Sequence, residues 1–208
     1  MKILYHIFAV ILLASVVSCN NSSPMPSTTA YEVSCTLSRG LKLDSATLYL
    51  VEENYNSLID QGMCKRNKQG EFSWKGCINE PMAAFIKFEG DSTPVYFVLD
   101  PGVTNITINK HSKKIVGGKT NNEYMAFIAH RKGILDHKDK LNEQYIKHIG
   151  DSTLTVDIEK DFHLQDSLLT DSLQRYTTWR INAGGPVSVI VKERFFKTLT
   201  SEYQKKLN

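Results

Sequence analysis

Cysteine is scarce, and its spacing excludes more than its number does. The chain has four cysteines in 208 residues, at Cys19, Cys35, Cys64 and Cys77. No two stand as Cys-x-x-Cys, so a dithiol of the thioredoxin type is absent. No two lie close enough to form half of a zinc site. The sequence also lacks a Gly-x-Ser-x-Gly elbow and a His-Glu-x-x-His pair. His130 and His137 fall on one predicted helix face, but seven residues place them about 10 Å apart, too far to share a metal. His111, His148 and His163 have no partner at ligand spacing. Carboxylate pairs such as Glu52-Glu53 read as solvated charge. No nucleophile, base and orienter assemble, so no catalytic residue, no metal ligand and no cofactor is nominated.

Excess charge is missing too. A formal net charge of +3 gives no electrostatic ground for a nucleic acid or an anionic surface as partner. Gly118-Lys119-Thr120 resembles the end of a phosphate-binding loop. That loop needs a glycine five residues before Gly118, where this chain has Lys113, so nucleotide is not an expected ligand.

Long apolar runs are confined to the beginning. Lys2 precedes an apolar stretch from Ile7 to Val17, shorter than the roughly 20 residues a spanning helix needs and suited to a signal peptide. Its end, Val16-Val17-Ser18-Cys19, matches the bacterial lipobox: branched apolar residues, a small residue, then the thiol that takes diacylglycerol. Residues 1–18 are therefore expected to be a lipoprotein signal peptide and Cys19 the acylated first residue of the mature chain. The expected location is the bacterial cell envelope, lipid-anchored at the outer membrane, with nothing in the sequence setting which face. Residues 19–29 (Asn20-Asn21-Ser22-Ser23-Pro24 and onward) are polar and aperiodic, as in a flexible tether.

The remainder divides at about residue 118. In residues 30–118, Tyr31, Val33, Cys35 and Leu37 alternate with polar residues, and so do Ala46, Leu48 and Leu50, as half-buried strands do. Leu58–Cys64 and Glu71–Cys77 flank the turn-forming Asn67-Lys68-Gln69-Gly70, which predicts a hairpin. Further strands are expected over 82–88, 95–99, 103–108 and 114–116. In residues 119–208 the period becomes helical. Thr120-Asn121-Asn122-Glu123 has capping-box form. The apolar stripe behind it includes Phe127, Leu141, Tyr145, Ile146 and Ile149. A second stripe runs from Ile158 to Trp179 and ends at Gly184-Gly185, which suit a C-cap. A third helix opens at Pro186 and extends to Tyr203. The predicted fold is α+β: an antiparallel β-sandwich or barrel-like sheet of seven to eight strands, followed by a three-helix region packed on or following it.

Export permits disulfides. Three thiols besides Cys19 allow three single pairings. Cys35–Cys77 is favoured on strand geometry, which leaves Cys64 as the free thiol. Ser45, Ser92, Ser152, Ser167 and Ser172 each follow an Asp and precede a small or apolar residue. This resembles the acceptor that some bacteria O-glycosylate on exported proteins, although Asp-Ser also favours turns and helix starts.

Three segments together carry a resemblance. They are Gly70-Glu71-Phe72-Ser73-Trp74-Lys75-Gly76; Leu99-Asp100-Pro101-Gly102-Val103 with Ile106 and Ile108; and Val116-Gly117-Gly118 leading to Asn121 and Phe127. Their order is similar to the N-terminal domain of unknown function that precedes the thioredoxin-like, peroxiredoxin-type domain of bacterial envelope thiol–disulfide oxidoreductase lipoproteins. Trp179 to Val191 resembles the helix junction before that catalytic domain. The catalytic Cys-x-x-Cys of those relatives is absent here, so no catalytic residue carries over. The resemblance implies a non-catalytic, lipid-anchored envelope module that binds an envelope protein or a small ligand. The alternative is a redox accessory in which Cys35, Cys64 or Cys77 exchanges disulfides with a thioredoxin-like partner.

Overall fold

The computed structural model describes residues 29–38, 40–52 and 57–207; the expected signal peptide over residues 1–18, Cys19 and nearly all of the expected tether lie outside them. Eight strands form two four-stranded sheets. The strands are β1 (Thr29–Leu37), β2 (Ser45–Val51), β3 (Leu58–Lys65), β4 (Glu71–Ile78), β5 (Met82–Phe88), β6 (Val95–Leu99), β7 (Gly102–Ile108) and β8 (Lys113–Val116). One sheet has the order β4-β1-β7-β8 and the other β3-β2-β5-β6. The alternation read from the sequence holds in β1 and β2: Tyr31, Val33, Cys35, Leu37, Ala46, Leu48 and Leu50 are all buried between the sheets. Phe72 of β4 meets Phe88 of β5 edge-on across the sandwich, ring centroids 5.6 Å apart, a geometry the ring quadrupoles favour.

The second sheet is covered on both faces. Val95, Phe97 and Leu99 point into the sandwich, while Val98 and Tyr96 pack against helices. That double burial explains why β6 is apolar throughout rather than alternating. The covering helices are α1 (Lys119–Gly150), α2 (Val156–Asn182) and α3 (Gly185–Phe195), followed by a 3-10 turn (Phe196–Thr198) and α4 (Ser201–Lys205). Strands therefore come first and helices second, as the sequence predicts, and the helices pack on the sandwich through Tyr124, Phe127, Ile181, Val187, Ile190 and Val191.

Several local expectations are corrected. β3 and β4 do not pair; they belong to different sheets. The turn between them is real, with Asn67 Oδ1 accepting from the amides of Gln69 and Glu71. Arg66, however, is drawn toward β2: its guanidinium donates to the Leu41 carbonyl at 2.8 Å and its amide to the Asp44 carbonyl. Glu71 meanwhile enters the ladder with β1. β3 bulges against β2 between the pairs Thr47–Met63 and Tyr49–Asp60, and this bulge ties it to β4 across the sandwich. Gly62 adopts a positive φ there, its carbonyl accepts from the Trp74 indole at 3.0 Å, and Tyr31 donates to Gln61.

β1 and β7 run parallel, so the sandwich is antiparallel except at that pair. A long crossover through the other sheet separates the two strands in sequence, which is what parallel neighbours require. The disulfide expected between Cys35 and Cys77 is not formed; both thiols are free. The ladder sets Cys35 opposite Phe72 and Cys77 opposite Ala30. Five rungs, about 17 Å, separate the two cysteines, far beyond the reach of a bridge.

Thr120 and Glu123 do not cap α1. The N-cap is Gly118, and the cap comes from the turn before β7: Asp100 accepts from the amides of Thr120 at 3.3 Å and Asn121 at 2.8 Å. A Cβ on Gly118 would lie 2.4 Å from that of Asp100, so glycine is required for the approach. Glu123 instead faces Arg180. The third helix is also shorter than expected. Thr198 bonds back to the Phe195 carbonyl. Gln174 clamps the carbonyl of Thr198 and the amide of Thr200, breaking the chain into a 3-10 turn and α4.

Candidate interaction surface on the helical arm

Alternate three- and four-residue steps place Ile134, Lys138, Leu141, Tyr145 and His148 on one face of α1, an a/d seam like that of a coiled coil. Ile158, Phe162, Asp166, Leu169, Leu173 and Tyr176 make the matching face of α2. The two helices run side by side with Tyr145 stacked on Phe162 at 4.1 Å. Lys138 pairs with Asp166 at 2.7 Å. At the turn between the helices Thr155 caps α2, accepting from the Ile158 amide, and Asp157 and Glu159 occupy the first turn, where the helix dipole favours negative charge.

Near the sandwich this hairpin is held on several sides. Phe127 stacks on Tyr176, His130 lies against Tyr176, and Arg131 sits over Phe195. Beyond Arg131, the ring stacks and long-range polar contacts of α1 are with α2 alone. Residues 132–150 therefore project as an arm roughly 28 Å long at 1.5 Å per residue.

The arm carries apolar side chains that nothing among the described residues covers. Ile146 is 66% exposed, Leu164 60% and Leu168 59%, with Ile149 and Val156 also open at the tip. A groove of about 350 Å³ runs between the helices, lined by Leu141, Tyr145, His148, Ile158, Phe162 and Gln165 among others. Large apolar side chains are thus exposed on both helices of one projecting element. A second hollow of about 280 Å³ lies under α3, between Val51, Met82, Ala83, Thr120, Pro186 and Val189.

The sequence-nominated residues do not converge here. Cys19 lies outside the described residues. Cys35 is fully buried, and burial together with the nearby charge of Glu71 pushes its thiol up to about 12, so it is held protonated. Cys64 is half-buried on the edge strand β3, and Cys77 is exposed on β4. Ser45 is buried and donates to Glu89, which removes it as a glycan acceptor. Ser92 is exposed in a loop, Ser152 in the turn between α1 and α2 at φ 53°, and Ser167 and Ser172 on α2. The apparent phosphate loop is closed by Asp100, whose carboxylate occupies the place an anion would take at the start of α1. Trp179, expected in the buried stripe, is 59% exposed and stacks on Tyr176.

Two groups of residues escaped the sequence reading. Leu164 and Leu168 lie off the buried stripe, and two leucines one turn apart outside the stripe were the available signal. Ile146 and Ile149 fall in the predicted apolar stripe because they follow the seam residues Tyr145 and His148 by one position, and both are exposed.

No curated protein matches the chain. Among solved structures, 44% of it is similar to 44% of a candidate cell adhesion protein from Bacteroides ovatus, at 11% identity and a TM-score of 0.32. Another 12% identical structure, the CBM25-2 of a beta/alpha-amylase from Paenibacillus polymyxa, is matched over 45% of this chain and 95% of its own, with a TM-score of 0.31. The chain thus spans less than half the length of the first of these. Residues 31–124, from β1 through the sandwich to the first turns of α1, match the family model described as Domain of unknown function (DUF4369).

Proposed function

We propose that the chain is a non-catalytic module of the bacterial cell envelope, held to the membrane by lipid on Cys19, that presents its helical arm to a protein partner. The observation that carries this reading is the set Ile146, Leu164 and Leu168, each more than half exposed on an element that no other part of the described chain covers. An apolar side chain of this size contributes roughly 1.5–3 kcal/mol when fully buried. A partner that covers the three therefore has enough apolar surface for specific association. The lipobox supports the location, since a diacylated thiol with a further acyl chain anchors stably, and residues 20–28 supply a spacer.

The test is photocrosslinking in intact cells. A photoreactive residue at Leu168 is expected to give a discrete protein adduct, whereas one at Lys110 on the far loop gives none. The absence of an adduct at Leu168, Leu164 and Ile146 alike refutes the reading. The anchor is tested separately: Cys19→Ser releases the chain from the membrane fraction, and an acylated mass is absent from that variant.

A further inference from the structure

A second site lies at the base of the arm, where α1 and α3 meet the edge of β6. Two arginines converge on one aromatic ring there. The guanidinium of Arg131 sits 4.2 Å from the centroid of Phe195, and that of Arg194 4.9 Å from the same ring and 5.4 Å from Tyr96. Arg194 also donates to the hydroxyl of the buried Tyr124. Neither guanidinium, nor the ammonium of Lys113, has a carboxylate within ion-pair distance among the described residues. Arg131 Nε is buried with no hydrogen-bond partner. Burial first, and then the charge of Arg194, lowers the pKa of Arg131. The acidic neighbour that bears on the cluster, Glu193, acts on Tyr96.

Arg131 is half-buried, whereas Arg194 and Lys113 are exposed. Like charges repel, and a half-buried cation such as Arg131 is ordinarily paired, yet its nearest charged neighbour is the second arginine. The aromatic rings fix the guanidinium planes by cation–π contact, and Tyr124 takes only one of the five donors of Arg194. Arg194 and Lys113 line a cavity of about 190 Å³, together with Tyr96, Tyr124, Met125 and Ile128 among others, and Arg131 lies behind it. A fixed guanidinium fork is complementary to a planar or tetrahedral oxyanion. Met125 and Ile128 give the lining an apolar part.

We propose that this cavity binds a small organic anion, an oxyanion (carboxylate or phosphate monoester) borne on an apolar body. Arg194 and Lys113 hold the oxyanion, Arg131 adds to the positive potential behind them, and Met125, Ile128 and Tyr96 receive the apolar part. The site is independent of the arm surface, which lies farther along α1 and α2.

The test is calorimetric titration of the full-length chain in mild detergent with benzoate, phenyl phosphate and inorganic phosphate, and with benzamide as the neutral control. Saturable binding of benzoate or phenyl phosphate is expected, and the tighter of the two identifies the oxyanion. Arg194→Gln and Lys113→Gln should each weaken it by about tenfold, and Arg194→Lys should not restore the fork. Lys113 lies exposed on β8, so its variant tests the site even where Arg194→Gln unfolds the chain. The absence of saturation by either organic anion below about 10 mM overturns the proposal. Equal binding of benzamide, or unchanged affinity in Lys113→Gln, does the same. Inorganic phosphate binding as tightly as phenyl phosphate overturns the role given to the apolar wall.

Discussion

Removing the carboxylate of Asp100 should detach the start of α1 from the sandwich. Asp100 is 6% exposed and Asn121 fully buried, and the two amides that Asp100 satisfies, those of Thr120 and Asn121, have no alternative side-chain acceptor in the helix. Losing a cap side chain costs about 0.5–2 kcal/mol. Loss of a negative charge at the dipole end adds about 0.3–1, and an amide left buried without an acceptor about 1–3. These effects overlap, so Asp100→Ala is expected to destabilise by about 2–4 kcal/mol. For a domain of this size that lowers Tm by about 5–15 °C. Asp100→Asn keeps one acceptor oxygen without the charge and should fall between the two. The measurement is urea denaturation followed by far-UV circular dichroism, with the slope checked to be unchanged. An Asp100→Ala midpoint equivalent to less than about 0.5 kcal/mol would refute the idea that this residue is the cap.

The thiols should separate by accessibility: Cys77 reacts with a maleimide at once, Cys64 more slowly, and Cys35 only after unfolding, as its burial and raised pKa of about 12 require. A Cys35 that labels as fast as Cys77 in the folded chain contradicts the register of β1. The carboxyl of Asp171 is held below its ordinary value by hydrogen bonds from Tyr203 and Arg175. Its contribution to docking α4 is therefore present above the unfolded pKa of 3.8 and is lost as pH falls through the lower folded value. Ring signals of Tyr203 in NMR should follow that titration, and a midpoint at or above 3.8 counts against the contact. Leu164→Glu with Leu168→Glu should leave stability within about 0.5 kcal/mol while abolishing the crosslink from a photoreactive residue at Ile146 in cells. A large loss of stability would show that these leucines belong to the fold.

What was legible in the sequence was whatever depends on neighbours along the chain. The period of two at Tyr31, Val33, Cys35 and Leu37 reports one buried face, and that face is where the strand packs. The change of period near Gly117-Gly118 marks the passage from sheet to helix, which falls between Val116 and Lys119. Relations between distant segments were not legible. Asn67-Lys68-Gln69-Gly70 correctly announces a turn, but a turn does not say whether its strands pair or separate into facing sheets; that is decided by Arg66 reaching Leu41 and by β4 pairing with β1. Asp100 reads locally as a turn-former beside Pro101 and Gly102, and its second role begins twenty residues later. The disulfide expectation failed for the same reason. Both cysteines are on strands that do pair, but the register that separates them is a property of the whole ladder.

The candidate surface and the base of the arm follow from one asymmetry in how the helices are supported. At the base, α1 and α2 are packed against α3 and against each other through Phe127, Tyr176, Phe195 and their cationic neighbours. Toward the tip, the rings of Tyr145 and Phe162 and the Lys138–Asp166 pair join two helices that have no third element beside them. A helical pair with one short seam is marginal by itself. The sequence nevertheless extends α1 to 32 residues and α2 to 27, well past the length needed to cover the second sheet. Selection for stability alone favours shortening such an extension or coating it with charge. Leu164 and Leu168 show neither: they keep apolar surface on the back of α2, about two and three turns from the tip and out of reach of anything the arm's end alone would touch. That placement fits a partner lying alongside the arm rather than a surface met end-on.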